Sequence, residues 1–238
     1  LWLQSVDSTG LLHFEVLGKT GHWQVKSMAG YELVSKGADS FPSVLIVRPL
    51  SNQINKSIRL IYTGPAYTNQ FGERGQSGDL FGYDSFEPGN RWDVYWYRWD
   101  ENHAPLLQPE AFNRLIADTS AAVFKLHNSP ALDYTWWGAI GKQLPADSFA
   151  TVATTTLDIP AGKYRLGITA DDMVKVLVDD KLVIDAWTGT AGLDENTYHE
   201  QVLDLTGGKH QITIIHTENT GLATLMWYFR PLREPNGK

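Results

Sequence analysis

The chain contains no cysteine, which excludes disulfides, thiolate metal sites and cysteine nucleophiles. Stability must therefore come from core size, and 238 residues allow one large domain or two small ones. No apolar run approaches the roughly twenty residues that span a bilayer. Basic clusters are lacking as well: 20 Lys and Arg stand against 27 Asp and Glu, for a formal charge of −7. Nucleic-acid phosphates need concentrated positive charge, so nucleic acid is not an expected partner. An acidic surface is also repelled by anionic lipids and polymers. There is no G-x-S-x-G elbow, no phosphate loop and no H-E-x-x-H helix, so no positive signal supports an enzyme. The sequence opens on Leu1 without a signal-peptide pattern and reads as a processed or excised piece of a longer protein.

Aromatics are plentiful, with nine Trp, ten Tyr and nine Phe, and there are 21 Gly. Short runs of Val, Ile, Thr and aromatics bounded by Gly, Pro and Asn predict antiparallel strands. In the first part these fall at 11–17, 22–26, 31–34, 44–47 and 58–62, with a turn at 18–21. The turn-rich stretch 64–90 is too long for a structureless loop in a compact domain, so a strand is expected at about 80–86. In the run Trp92-Asp93-Val94-Tyr95-Trp96-Tyr97-Arg98-Trp99, strand alternation puts Trp92, Val94 and Trp96 on one face and Tyr95, Tyr97 and Trp99 on the other. Both faces are covered, or one is a ligand platform; Trp92, Trp96 and Trp99 are expected at an interface between the N-terminal strands and the C-terminal ones. One helix is predicted over 109–117. Pro109 and Glu110 suit its first turn, and Phe112, Leu115 and Ile116 form a single apolar stripe. Later strands are expected at 149–157, 164–169, 174–178, 182–185, 200–205, 210–216 and 222–229. Seven strands at this spacing make a sandwich or barrel.

The stretch LPADSFATVATTTLDIPAGKYRLGITADDMVKVLVDDKLVIDAW, residues 144–187, resembles the protective-antigen-type (PA-fourteen) domain. That family occurs in anthrax protective antigen, yeast flocculins and adhesins, and bacterial glycosidases. Gly208-Lys209-His210-Gln211-Ile212 is similar to its G-x-H-x-I strand, and Gly221-Leu222-Ala223-Thr224-Leu225 to its G-x-A-x-L strand. The resemblance covers about 130–232 and implies an antiparallel β-sandwich. In the sugar-binding branch, adjacent Asp residues, often joined by a cis peptide, hold a calcium ion with help from a later Asn, and the ion coordinates sugar hydroxyls. The resemblance thus points to Asp171, Asp172 and Asn219 as metal ligands. Met173 departs from the pattern, which has Gly there; a loop requiring positive φ at that position would be strained by Met.

Each of these residues also has a plainer reading. Asp171 and Asp172 are hard oxygen donors suited to calcium, or carboxylates capping a turn; exposure would relieve their mutual repulsion. Glu218 beside Asn219 is a candidate ligand contact, and glycoside hydrolysis would need it paired with a second carboxyl across a cleft. Trp187 stacks on a sugar ring or packs at a strand end. Asp179-Asp180 reads as a hairpin turn. His210 and His216 share a strand face with Ile212 and Ile214, where packing or hydrogen bonding is expected rather than zinc binding.

The expected protein is all-β: an antiparallel sandwich at 121–232, a β-rich N-terminal unit at 1–100, a helical connector at 101–120 and a tail at 233–238. Its expected role is non-catalytic binding of a glycan or polysaccharide through calcium, in a secreted, periplasmic or cell-surface protein. Two alternatives stand beside it. One is an assembly subunit docking to other envelope proteins or domains of a larger parent chain, which an exposed apolar patch over Trp92–Trp99 would favour. The other is an accessory module of a glycoside hydrolase.

Overall fold

The computed structural model describes residues 1–16, 22–37, 43–50, 53–68, 72–86, 88–139, 142–187 and 197–232. The predicted turn at 18–21 and the tail at 233–238 lie outside the described residues. The chain is all-β with one α-helix among the described residues, and it divides into two compact units, Leu1–Pro88 and Gly89–Lys238.

The first unit comprises β1 (Trp2–Val6), β2 (Leu12–Val16), β3 (His22–Ala29), β4 (Tyr31–Lys36), β5 (Ser43–Pro49), β6 (Asn55–Thr63), β7 (Tyr67–Thr68), β8 (Arg74–Gly75) and β9 (Leu80–Phe86). They form an antiparallel sheet ordered β1-β2-β5-β4, a second ordered β3-β6-β9, and a small β7-β8 ribbon. Strict alternation along β6 turns Ile58, Leu60 and Tyr62 inward. Ile58 and Leu60 meet Phe14, Val16, Leu45 and Val47 from the other sheet. β1 escapes the sequence pattern because it is an edge strand with almost no buried residue.

The second unit contains β10 (Trp92–Arg98), α1 (Pro109–Ala117), β11 (Phe124–Ser129), β12 (Asp133–Trp137), β13 (Phe149–Ile159), β14 (Gly162–Asp171), β15 (Met173–Val178), β16 (Lys181–Ala186), β17 (Thr197–Leu205), β18 (Gly208–Glu218) and β19 (Leu222–Pro231). A six-stranded sheet runs β11-β10-β13-β18-β15-β16 and a four-stranded sheet runs β12-β19-β14-β17. Rings lock the two together: Trp92 meets Trp227 edge-on at 5.0 Å, and Trp136 meets Phe149 at 5.8 Å. The division between units falls at residue 88, so the aromatic strand 92–98 is part of the sandwich, hydrogen-bonded to β13 from Asp93↔Thr154 to Arg98↔Phe149. Its two aromatic faces are both covered. Trp92 and Trp96 fill the space between the sheets, while Tyr97 packs under Phe112 and Ile116 of α1. Trp92 and Trp96, expected at an interface with the N-terminal strands, instead pack between the two sheets of the second unit, and Trp92, Trp96 and Tyr97 are all buried.

The Asp179-Asp180 hairpin joins β15 to β16 with φ of +50° and +61°, as a two-residue turn of this hand requires. Asp179 Oδ1 accepts the Gln211 N–H at 2.9 Å and Oδ2 accepts from His210 Nδ1 at 2.7 Å. His210 Nε2 donates to the Thr206 carbonyl at 2.8 Å. Both ring nitrogens thus face acceptors, which favours the imidazolium and raises the His210 pKa, chiefly through Asp179. A folded-state pKa above the unfolded value of about 6.5 gives stability that is full below that pH and is lost as pH rises through the folded value. The unfolding free energy from urea titrations is therefore expected to fall between pH 6 and pH 8, and Asp179→Asn should flatten that slope. An unchanged slope in the variant would assign the pH dependence elsewhere.

Candidate functional site

The site forms where the chain changes sheets. β14 ends at Asp171 in the four-stranded sheet, and β15 begins at Met173 in the six-stranded sheet. Asp172 alone makes the crossing, and the Asp171–Asp172 peptide is cis. Met173, in the place where the family pattern has Gly, does not adopt positive φ; it starts a strand paired to Thr217. The expected strain at this position is therefore absent, because the residue belongs to the ladder rather than the loop.

Three interactions hold the crossing. The Asp172 N–H donates to the Thr217 carbonyl at 3.2 Å. The Asn219 N–H donates to Asp172 Oδ2 at 2.6 Å. His216 Nε2 donates to the Asp171 carbonyl at 2.7 Å, while its Nδ1 faces Thr151 Oγ1 at 3.5 Å. A carbonyl can only accept, so the His216 proton sits on Nε2. Burial pushes the His216 pKa down to about 4, which keeps the ring neutral. The imidazole of β18 thus ties the six-stranded sheet to the last residue of β14. Strand parity alone places His216 on the inward face but does not identify this partner.

Asp171, Asp172 and Asn219 are brought to one place, as the resemblance implied. Exposure does not relieve the repulsion of the two carboxylates: Asp171 is 2% and Asp172 9% exposed. Glu218 is not exposed either. Its position in β18 has the parity of His216, Ile214 and Ile212, which turns it inward, and it is fully buried. Trp187 is placed elsewhere. It packs on Phe112 at 5.8 Å, with Lys175 Nζ 4.6 Å from its ring centre, in the cluster under α1. That packing supports the strand-end reading of Trp187 over the stacking one.

Asn219 also lines a pocket of about 650 Å³, together with Met173, Trp99 and the segments around 98–107 and 145–148. Its backbone carbonyl accepts from the Ser148 N–H at 3.2 Å, and the Ser148 carbonyl accepts from the Trp99 N–H at 3.0 Å. Asp147 Oδ1 accepts from the Gly221 N–H at 3.1 Å. These bonds fasten the pocket wall to the Asp crossing. The sequence does not single out the 145–148 loop as a site element, although Pro145 and the Asp147-Ser148 pair are turn signals.

The donor set suits a hard cation. Calcium takes carboxylate, amide and carbonyl oxygens, and Asp171, Asp172 and Asn219 supply them. Among the described residues no group of three or more His, Asp or Glu side chains is arranged to hold a metal, so amide and backbone oxygens must complete any shell. Two buried polar atoms beside the crossing, Asn219 Nδ2 and Thr217 Oγ1, have no hydrogen-bond partner among the described residues. Half a turn of the Asn219 amide exchanges its nitrogen and oxygen, which brings a ligand-competent oxygen to that position.

The His216→Leu variant is expected to lose about 2 kcal/mol or more in chemical denaturation, because it leaves the buried Asp171 carbonyl without its donor. His216→Gln, which keeps a donor N–H, should recover part of that loss. Equal stability of both variants with wild type would remove this bond from the structural argument.

No curated protein matches the sequence. Among solved structures, a PA14 sugar-binding domain from an RTX adhesin is 19% identical; the match covers 60% of this chain and 90% of that one, with a TM-score of 0.43. An anti-sigma factor domain-containing protein from Clostridium clariflavum is 13% identical, covering 93% and 79% respectively, with a TM-score of 0.46. A β-glucosidase from Kluyveromyces marxianus is 11% identical over 63% of this chain, with a TM-score of 0.40, and the match spans only 16% of the enzyme's length. The sequence pattern of the PA14 domain matches residues 114–234, just over half of the chain, and the chain therefore belongs to the PA14 domain family.

Proposed function

We propose that this chain is a non-catalytic carbohydrate-binding module of a secreted or cell-surface protein, and that calcium held by Asp171, Asp172 and Asn219 bridges it to vicinal hydroxyls of a glycan. The observation that carries the reading is the double role of Asn219. Its backbone is bonded to Asp172, and the same residue lines the 650 Å³ pocket, which links the buried Asp pair to a cavity through Asn219. A divalent cation would offset the repulsion of two adjacent carboxylates held largely out of water. Calcium supplies open coordination positions for sugar oxygens, and the residues supply charge, orientation and a wall.

A hydrolytic reading needs two carboxyls facing across a cleft. Glu218, the acid that sequence offered for it, has no exposed surface. An exposed apolar strand at 92–99 would favour the assembly-subunit reading, and Trp92, Trp96 and Tyr97 are buried in the sandwich. No described helix is long and apolar enough to cross a membrane.

Calorimetric titration with calcium is expected to give saturable heat. A ligand that binds the folded state alone adds about 2.7 kcal/mol of stability at one hundred times its Kd, so the melting temperature should rise in calcium and drop in chelator. Asp171→Asn and Asp172→Asn should each abolish the heat and the shift. An absence of heat and of any melting shift at millimolar calcium would reject the calcium bridge.

A further inference from the structure

We infer that a cleft on the outer face of the six-stranded sheet binds a sugar acid, a uronate whose carboxylate meets Arg91 and whose hydroxyls meet Asp93, Thr154, Thr156 and Gln211. These five residues, with Gly89 and Thr155, line a cavity of about 340 Å³. All of them belong to the second unit, and none belongs to the Asp171, Asp172 and Asn219 set. The cleft therefore needs no calcium and does not rest on the calcium-bridged reading.

The sheet itself builds the cleft. Outward side chains of β10, β13 and β18 fall in rows across the three strands. The row Tyr95, Val152 and Ile215 is apolar and packs in the cluster under α1. One row along, Asp93 stands beside Thr154, and Thr154 beside Thr213. In the next row Thr156 pairs with Gln211, and continuing β10 in the same register brings Arg91 to Thr156. The face thus turns from apolar to polar within a single row.

Two of these groups are fixed in place and keep binding capacity. The β10–β13 ladder ends at Asp93↔Thr154, but Thr155 Oγ1 donates to the Arg91 carbonyl at 2.7 Å. The Arg91 backbone is therefore held beyond the last rung. Its guanidinium has no ion-pair or hydrogen-bond partner among the described residues. Asp93 is positioned by the Asn128 N–H at 3.3 Å and by His127 Nδ1 at 3.1 Å, both on Oδ1, which leaves Oδ2 to accept from a ligand. On the far side Asp158 stands directly opposite Lys209, and these opposite charges offset each other.

The cleft asks for an anion at Arg91 and for hydrogen-bond donors at Asp93. A carboxylate fits the guanidinium fork. Hydroxyls donate to Asp93 and exchange hydrogen bonds with Thr154, Thr156 and Gln211. A uronate carries both on one ring, and the cavity is of small-molecule size. A neutral hexose leaves Arg91 without its anion. Acetate or an amino acid leaves the hydroxyl and amide groups to water. The acid comes either free or as a unit of an acidic polysaccharide.

The test is an NMR and calorimetric titration of the full chain in chelator, with galacturonate, its α-linked trimer, galactose, acetate and glycine as probes. Galacturonate should shift the amides of Thr154, Thr156 and Gln211 saturably and bind about tenfold or more tighter than galactose, acetate or glycine. A trimer that binds tighter than the monomer identifies a polysaccharide as the source, and equal affinity identifies the free acid. Arg91→Gln should weaken galacturonate about tenfold or more and Thr156→Val roughly threefold, with the melting temperature unchanged because both side chains are exposed. Any one of the other three small probes binding as tightly as galacturonate, shifts that map away from this cleft, or an affinity indifferent to Arg91→Gln overturns the inference. Absence of uronate binding also overturns it and leaves the calcium-bridged reading standing, since that site is silent in chelator. Uronate binding in a chain that takes up no calcium does the reverse.

Discussion

The second unit depends on a crossing one residue long. β14 and β15 lie in different sheets, and sandwich sheets stand about 10 Å apart, yet only Asp172 separates the strands. Such a corner exposes backbone groups at the place where neither ladder can pair them. His216 answers for the Asp171 carbonyl and Thr217 for the Asp172 N–H, both supplied by β18. The corner therefore sits against the middle of one sheet, and the two carboxylates arrive side by side as a consequence of topology. Asn219, the next residue beyond that strand, reaches Asp172 because β18 ends there. One requirement, satisfying the backbone of a tight sheet-to-sheet passage, thus assembles the oxygen donors without a dedicated loop for each.

Beside the corner, Met173 and Asn219 line a cavity with the 145–148 loop and the 98–107 segment, which are bonded in series through Trp99, Ser148 and Asn219. α1 comes directly after, and its buried Phe112 and Ile116 press on Tyr97 of β10. The helix anchors the segment that leads out of the aromatic strand, so the wall of the pocket and the outer cover of the six-stranded sheet are one continuous piece of chain.

Much of this is legible in the residues. The helix at 109–117 has the bounds its sequence predicts because Pro109, Glu110 and the 112/115/116 stripe all point the same way. β9 coincides with its expectation, and the later strands are marked by the turn chemistry between them, Asp179-Asp180 included. β11 and β12 leave no such mark. They are edge strands whose side chains are mostly in water, so burial imposes no alternation on FKLHNS or DYTWW. The resemblance brings Asp171, Asp172 and Asn219 together, but does not carry their burial. The burial of the Asp pair could not be read, because a sequence does not reveal that a turn is also a crossing between sheets. Glu218 reads as accessible beside Asn219, although the parity of His210, Ile212, Ile214 and His216 continues to it. The segment 98–107 carries no periodicity at all, and the pocket it lines is completed by a loop about forty residues further along the chain.

β18 is hydrogen-bonded along both edges, to β13 over its whole length and to β15 over its later half. Amide protons in such a strand exchange with solvent only when the body of the domain opens, on the slowest clock the molecule has. The supports of the site, His216 and Thr217, sit on that strand. The carboxylate corner therefore shares the lifetime of the fold rather than that of a surface loop. A ligand bound through this corner would meet groups already in place, with little of its binding energy going into ordering the protein.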